Sequence, residues 1–466
     1  MVHFQPGINP PTGLDHRLRH APEFCRKSDS PHETNAILPA PGSTLSMKLL
    51  VFAHVPPPHH GQSYMVKLML DGFGGDHRHP APGPARVSPF GIECYHVDAR
   101  LSQRLEHIGD VRVAKLVALI GYCLQAIWCR YRHGVTNLYY IPGPGKRSAV
   151  YRDWVVMLLC RPFFDRVVLH WHAAGMGKWL ERAVQSRARS FTYERMREVD
   201  LSVVLSQFNR LDAEKLCARR VEIVGNGIPD PCPDYAATLQ QKRRARRDAR
   251  AKLLAGTPLS PETVAAAGGD AEVFRILYLA HCTREKGLFD TIEAVALVNL
   301  ALVASRSPVQ IELTVAGDFM EQAERRQFDA RIARPDLQNA AGKPVVTYAG
   351  FVSGQSKTRA LAEADCFCFP TFYYAESFGL VLAEAMAFGV PSVTTRWRSI
   401  PELYPADYPG LVDPQSPPQI AAKLREMLTL DLSDGLRRRF EERYTLDQHL
   451  RALANALRTL ETTPAQ

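Results

Sequence analysis

The chain shows no hydrophobic period before Met47, and from there short apolar runs alternate with segments of helical spacing. MKLLVFA (47–53) is an unbroken apolar run of strand length. A loop, PPPHHG, follows it, and QSYMVKLMLDGF then carries apolar positions at helical spacing. NLYYIP (137–142), RVVLHWH (166–172) and LSVVLS (201–206) predict further buried strands, and VEIVGNGIP (221–229) closes this half. Short apolar strands separated by helices are the pattern of a parallel sheet covered on both faces.

The rhythm breaks over 231–270, where the basic cluster QKRRARRDARAK precedes a stretch rich in Ala, Gly and Pro. The cluster predicts a solvated helix face, with a membrane- or nucleic-acid-facing patch as the alternative. Alternation restarts at RILYLA (275–280) and continues through IELTVAGD (311–318), VVTYAG (345–350), DCFCFP (365–370) and VPSVTT (390–395). A helix is predicted from about Phe378 to Phe388, with Gly389 placed to end it and Pro391 barring its continuation. The expected organisation is a disordered tail over 1–46, a Rossmann-like domain over 47–226 and a second over 227–445 that includes the 231–270 insertion. A closing helix over 446–466 is expected to pack back on the first domain. Met47 is a candidate start of translation, which the intact mass of natively expressed protein would reveal. Ligands in such sheets bind at the carboxyl ends of strands, which puts the expected site in a cleft between the domains.

Composition adds three constraints. A hydrophobic share of 46% and a charged share of 23% are ordinary for a soluble globular protein. The net charge of +9 favours anionic partners, either nucleotide phosphates or a negatively charged membrane surface. Nucleic acid is disfavoured, because the basic residues are not interleaved with aromatics as stacking platforms. Ten cysteines without a C-x-x-C pair, and no apolar core of a signal peptide, predict a reducing cytoplasmic location. The longest apolar run, Leu116 to Cys129, is shorter than the roughly 18 residues of a membrane span. It is expected to be a buried helix, with docking on a membrane surface as the alternative because Lys115, Arg130 and Arg132 flank it.

The stretch PTFYYAESFGLVLAEAMAFGVPSV (370–393) carries the chemistry. Glu376 ends a strand-to-helix loop, and Ser377, Phe378 and Gly379 open a helix whose free N–H groups attract an anion. Glu384 stands on the same, otherwise apolar helix, so it needs a partner to be tolerated there. A carboxylate at the loop tip can accept bonds from vicinal hydroxyls, and the second, further along, can hold another diol.

This E-x7-E pattern, followed by AMAFGVPSV, resembles the donor site of retaining glycosyltransferases of the GT-B fold, family GT4. HWHAAG, VEIVGNGI, REKG, VAGD and VTYAGFV extend the resemblance, in order, over most of the chain after Met47. It implies an α/β protein of two facing Rossmann-like domains with parallel sheets and an interdomain cleft. The implied reaction moves a sugar from a UDP- or GDP-sugar to a saccharide or lipid-linked acceptor, in cell-surface polysaccharide or glycoconjugate synthesis.

Carried over position by position, the resemblance gives Glu376 to hydroxyls of the donor sugar and Glu384 to the ribose. The backbone at Ser377, Phe378 and Gly379 goes to the sugar and phosphates, and Lys286, with Arg284 beside it, to the diphosphate. His172 would lie near the donor sugar and act in catalysis with Glu376 and Lys286, while His170 is packed. His59, His60 and Gly61 would form an acceptor and phosphate loop, and Asn226 in the hinge is a further candidate. Two departures stand out. The family's arginine five residues before the lysine is His281 here, and only Gly61 remains of the Gly-rich loop. The chain has no D-x-D, so the expectation is metal-independent transfer without a cofactor, the nucleotide-sugar being a substrate. A sugar-nucleotide epimerase of the same fold and a non-catalytic nucleotide-sugar-binding protein are the competing readings. The expected location is cytoplasmic, with peripheral contact at the inner face of the cell membrane.

Overall fold

Twelve short apolar segments form two parallel six-stranded sheets. The structure, a computed structural model, describes residues 46–57, 60–79, 90–101 and 113–461. All but Ser46 of the tail expected over 1–46, and the loop residue His59, lie outside them. The first sheet contains β1 (Met47–Ala53), β2 (Ile92–Asp98), β3 (Asn137–Tyr140), β4 (Arg166–Trp171), β5 (Leu201–Val204) and β6 (Val221–Ile223), in the order 2-1-3-4-5-6. The second contains β7 (Val273–Leu279), β8 (Gln310–Ala316), β9 (Val346–Gly350), β10 (Cys366–Phe369), β11 (Ser392–Thr395) and β12 (Leu411–Val412), in the order 12-11-10-7-8-9. Leu49 pairs with Cys94 on one side and Asn137 on the other, so the strand order reverses at β1. It reverses again at β7, which lies between β8 and β10. The loops leaving β1, β7 and β10 therefore stand at the switch points, where such sheets open a crevice for ligands.

The chain crosses between the halves twice, and the crossings hold each other. Ile228 N–H donates to the Tyr444 carbonyl at 2.9 Å, and Leu446 N–H donates to the Ile228 carbonyl at 2.8 Å. Gly227 permits this approach, since a Cβ there would stand 2.2 Å from the Thr445 carbonyl oxygen. The helix Leu446–Arg458 then lies on the first sheet, where Leu450, Leu453 and Leu457 share a core with Leu49 and Val51 of β1 and Met69. Burying each leucine contributes about 1.5–3 kcal/mol, so the last helix helps hold the first half together.

Two expectations change. The helix Val113–His133 is longer than its apolar run and is not a buried helix. It packs inward through Leu119, Cys123, Ala126 and Cys129, while Val113, Val117, Leu124, Trp128 and Tyr131 are exposed. The basic cluster is not a solvated face either. On the helix Gln240–Leu254, Arg246 and Arg250 are buried and both reach Asp365 at 3.1 Å. Arg243 donates to the Ala364 carbonyl at 2.6 Å, and Arg244 and Arg247 pair with Asp434 and Asp431. Arg246 and Arg250, with Arg243 beside them, brace the second half from inside, because a buried cation persists only where a carboxylate or carbonyls meet it, while Arg244 stays exposed.

β4 delivers two histidines into the first half's interior edge. The rings of His170 and His172 lie 4.2 Å apart, and His170 meets the Tyr139 hydroxyl. Burial, with His449 and His60 nearby, brings the His172 pKa down to about 3, and burial holds His170 well below its usual value. These folded-state values are depressed, so below about pH 6.5 the unfolded chain binds protons that the folded one refuses. Stability is therefore fully present above 6.5 and falls as the pH drops toward 3. Urea midpoints should decline between about pH 7 and about pH 4.5, and decline less in His172→Gln. A parent midpoint that is flat across this window would contradict the buried, neutral state.

Candidate active site

The loop after β7 and the loop after β10 build one cluster. Thr283 caps a short turn by accepting from Lys286 N–H at 3.3 Å, and Gly287 closes it at φ +81°. A Cβ on Gly287 would stand 2.4 Å from the Pro370 carbonyl oxygen, so only glycine lets the two loops touch. Phe372 N–H donates to the Glu285 carbonyl at 2.8 Å across the same seam. The result is a Lys286–Glu376 ion pair of 2.6 Å, with the ammonium 4.6 Å from the centre of the Tyr373 ring. Side chains of β11 and of the segment after it hold the end of β10 and the far side of the loop that leaves it. Thr394 donates to the Phe369 carbonyl at 2.8 Å, Trp397 to Tyr373 at 2.8 Å, and Ser399 to Ser377 at 2.5 Å.

Gly379, at φ +78°, turns this loop into the helix Leu380–Ala387. Glu384 on that helix meets Lys357 at 2.5 Å through one oxygen, and its other oxygen is buried without a partner among the described residues. The need for a partner, read from the apolar surroundings of Glu384, is thus met by a lysine that sequence reasoning missed. The unpaired oxygen leaves room for one more donor. Ser377 hydroxyl donates to the His172 carbonyl, which ties the second half's loop to the end of β4. Phe378 is buried, with its ring 3.5 Å from the position of a Cβ on Gly225.

Not every predicted residue joins the cluster. Arg284 turns away, donating to Gln327 at 2.9 Å and lying over the Phe289 ring. His281 has its pKa lowered by burial and then by Lys286, so at neutral pH it adds no cation beside that lysine. Asn226 is buried at the hinge with its amide oxygen unpartnered. On the first half, His60 caps the helix Gly61–Gly72, and its ring nitrogen lies 2.8 Å from that of His54. Burial, then His60 and Arg152, bring the His54 pKa to about 3. His54 was not singled out from sequence, because it precedes the proline loop as an ordinary strand-end residue. Gly61 faces Leu380 at the start of the helix Leu380–Ala387, the side chain lying 3.4 Å from where a Cβ would be. The first turns of two helices, one from each half, thus meet at Gly61 and Leu380, four residues on from Glu376. The arrangement offers a cation, N–H donors and two carboxylates to a ligand carrying phosphates and hydroxyls.

Comparison with known proteins places similarity over the second sheet. The family described as "Glycosyl transferases group 1" matches residues 273–430, which span β7 to the end of the second sheet. The amylovoran biosynthesis glycosyltransferase AmsK of Erwinia amylovora is 32% identical over 165 residues, 34% of this chain and 36% of that protein. The putative colanic acid biosynthesis glycosyltransferase WcaL of Escherichia coli is 29% identical over 212 residues, 44% of this chain and 48% of that protein. These matches thus span less than two thirds of the curated relatives' own lengths. Among solved structures, Anabaena HepE in complex with UDP and glucose aligns with a TM-score of 0.56 at 15% identity, covering 88% of this chain and 99% of that one. The apo structure of OtsA aligns at 0.57 with 13% identity, covering 90% of this chain and 98% of that one. The two six-stranded sheets form a GT-B fold, and residues 273–430, which carry the Lys286–Glu376 pair and Glu384, are similar to the group 1 glycosyltransferases.

Proposed function

We propose that the chain moves a sugar from a nucleotide-sugar donor, a UDP- or GDP-sugar, to a saccharide or lipid-linked acceptor in the synthesis of a surface polysaccharide. The carrying observation is the Lys286–Glu376 pair beside the Gly379 turn, with an unpaired Glu384 oxygen on the helix that follows. AmsK and WcaL are named for polysaccharide biosynthesis, and HepE holds UDP and glucose on the same fold.

In this reading Glu384 takes ribose hydroxyls and Glu376 takes hydroxyls of the sugar. Lys286 and the N–H groups opening the helix Leu380–Ala387 face the diphosphate, which gains charge as the glycosidic bond breaks. Arg284, engaged with Gln327, is left out of this set. His172, buried and neutral, positions Ser377 through its carbonyl rather than transferring a proton. The acceptor hydroxyl attacks the face from which the diphosphate leaves. Its proton passes to a phosphate oxygen, so the configuration is retained without a carboxylate nucleophile. Lys286 and the helix terminus do what a divalent ion does elsewhere, so turnover should persist in a chelator.

Calorimetric titration with UDP, GDP and ADP tests the donor site. One nucleotide should bind, and Glu384→Ala and Lys286→Ala should each weaken it by at least about tenfold, roughly 1.4 kcal/mol. Variants that bind as well as the parent would remove the site. An epimerase would release free nucleoside diphosphate without regard to acceptor, whereas a transferase releases it with acceptor present.

The same reading seats the chain on the cytoplasmic face of an anionic bilayer. Among the described residues, the helix Val113–His133 is the one long and apolar enough to cross a membrane, yet it lies along the first sheet with 22% of its most apolar window buried. Its outward side presents Leu124, Trp128 and Tyr131, with Lys115, Arg130 and Arg132 around them, an apolar face with a basic rim. The protein should co-sediment with phosphatidylglycerol vesicles. Leu124→Ser with Trp128→Ser should lower binding by at least about tenfold while leaving nucleotide affinity unchanged. Equal sedimentation of parent and variant would contradict this placement.

A further inference from the structure

One guanidinium at the seam of the two halves is left without an ion pair. Arg398 follows β11 and holds φ +52°, a backbone conformation that a non-glycine residue rarely adopts. Such conformations persist only where the surroundings impose them, and they gather at functional sites. Among the described residues Arg398 makes no hydrogen bond or salt bridge, and its Nε is buried without a partner. The guanidinium is nevertheless held in place. Its carbon lies 5.7 Å from the Phe208 ring centre, contributed by the first half, and 5.6 Å from the Trp397 ring centre, contributed by the second. Gly175 leaves it space, since a Cβ there would stand 2.9 Å from Nη1 and 3.2 Å from Nη2.

The carboxylates nearest in charge are already occupied. Asp212 accepts from Gly175 N–H at 2.6 Å and from Gly177 N–H at 2.8 Å, and Glu376 is taken by Lys286. Arg398 is also fixed to the site's own loop, because its neighbour Ser399 donates to the Ser377 carbonyl. A cation that is stacked, bonded to nothing and set beside the Ser377–Gly379 turn is complete only when an oxyanion meets it. His281 has left this crevice one cation short of the pattern that the sequence resembles.

Resting on the reading of the crevice as a nucleotide-sugar site, we infer that Arg398 is a specificity-determining residue that binds an oxyanion of the substrate there. The oxyanion is either a phosphate of the donor or a carboxylate on a transferred or accepting sugar. Arginine suits either, since its planar fork meets two oxygens at once.

The test uses Arg398→Gly, which suits a φ of +52° and removes the guanidinium, and Arg398→Lys, which keeps the charge without the fork. Titrants are UDP, GDP, UDP-glucuronate, inorganic pyrophosphate and D-glucuronate. Arg398→Gly should match or exceed the parent's Tm while losing at least about tenfold in affinity for an anion, and Arg398→Lys should recover part of the loss. Loss toward nucleoside diphosphates and pyrophosphate assigns the phosphate. Loss confined to UDP-glucuronate and D-glucuronate assigns the carboxylate. If the parent binds a nucleotide and Arg398→Gly binds every titrant equally well, the inference falls and the donor-site reading stands. If no nucleotide binds but pyrophosphate or glucuronate binding is lost in Arg398→Gly, the inference stands and the donor-site reading falls. A lowered Tm with unchanged affinities would make Arg398 a packing residue and overturn the inference, as would a parent that binds none of the five.

Discussion

An ammonium and a carboxylate 2.6 Å apart, Lys286 and Glu376, come from loops ninety residues apart in the chain, and their meeting organises the second half. The contact exists because Gly287 can lie against the Pro370 carbonyl and because β7 and β10 are neighbours, although β8 and β9 intervene in sequence. Either half of the pair alone would be a partly buried charge without a counter-ion, which is costly. Together they form a neutral, preorganised couple; on the proposed function an incoming diphosphate divides it, drawing the lysine while sugar hydroxyls take the carboxylate. Thr394 and Thr395 of β11, with Trp397 and Ser399 after it, keep the 370–379 loop from relaxing away.

The first half is brought to this couple by few but specific contacts. Ser377 reaches the His172 carbonyl, and Glu402 accepts from Gln207 N–H at 2.7 Å and Phe208 N–H at 2.8 Å, capping a first-half helix from the second half. The paired crossings at Ile228 and Leu446 form a narrow hinge, with Gly227 as its point of closest approach. Polar links at the mouth are joined by apolar ones, since Leu205 of the first half shares a core with Phe378 of the second. The narrow hinge suits a site which must admit its substrate and then exclude water.

How legible all this was depends on whether the signal was local. The strands MKLLVFA and LSVVLS, and the break at Gly389-Val390-Pro391, could be read because apolar period and turn chemistry sit within a few residues. β2, IECYHVD, was missed because Glu93, His96 and Asp98 dilute its apolar pattern, although Cys94 and Val97 are fully buried. The 240–254 cluster was misread for the opposite reason. Its arginines look solvated until Asp365, more than a hundred residues on, folds beneath them. Glu384 could be seen to need a partner, yet nothing in the sequence points to Lys357. The long apolar helix could be placed, but which of its faces the first sheet would cover could not.

The most direct measurement is a crystal structure of the protein with whichever nucleoside diphosphate it binds. The account predicts ribose density on the Glu384 oxygen that is now unpaired, and phosphate density between Lys286 and the Gly379 turn, with the Lys286–Glu376 distance lengthened from 2.6 Å. A nucleotide bound elsewhere, or bound with that pair undisturbed, would contradict it.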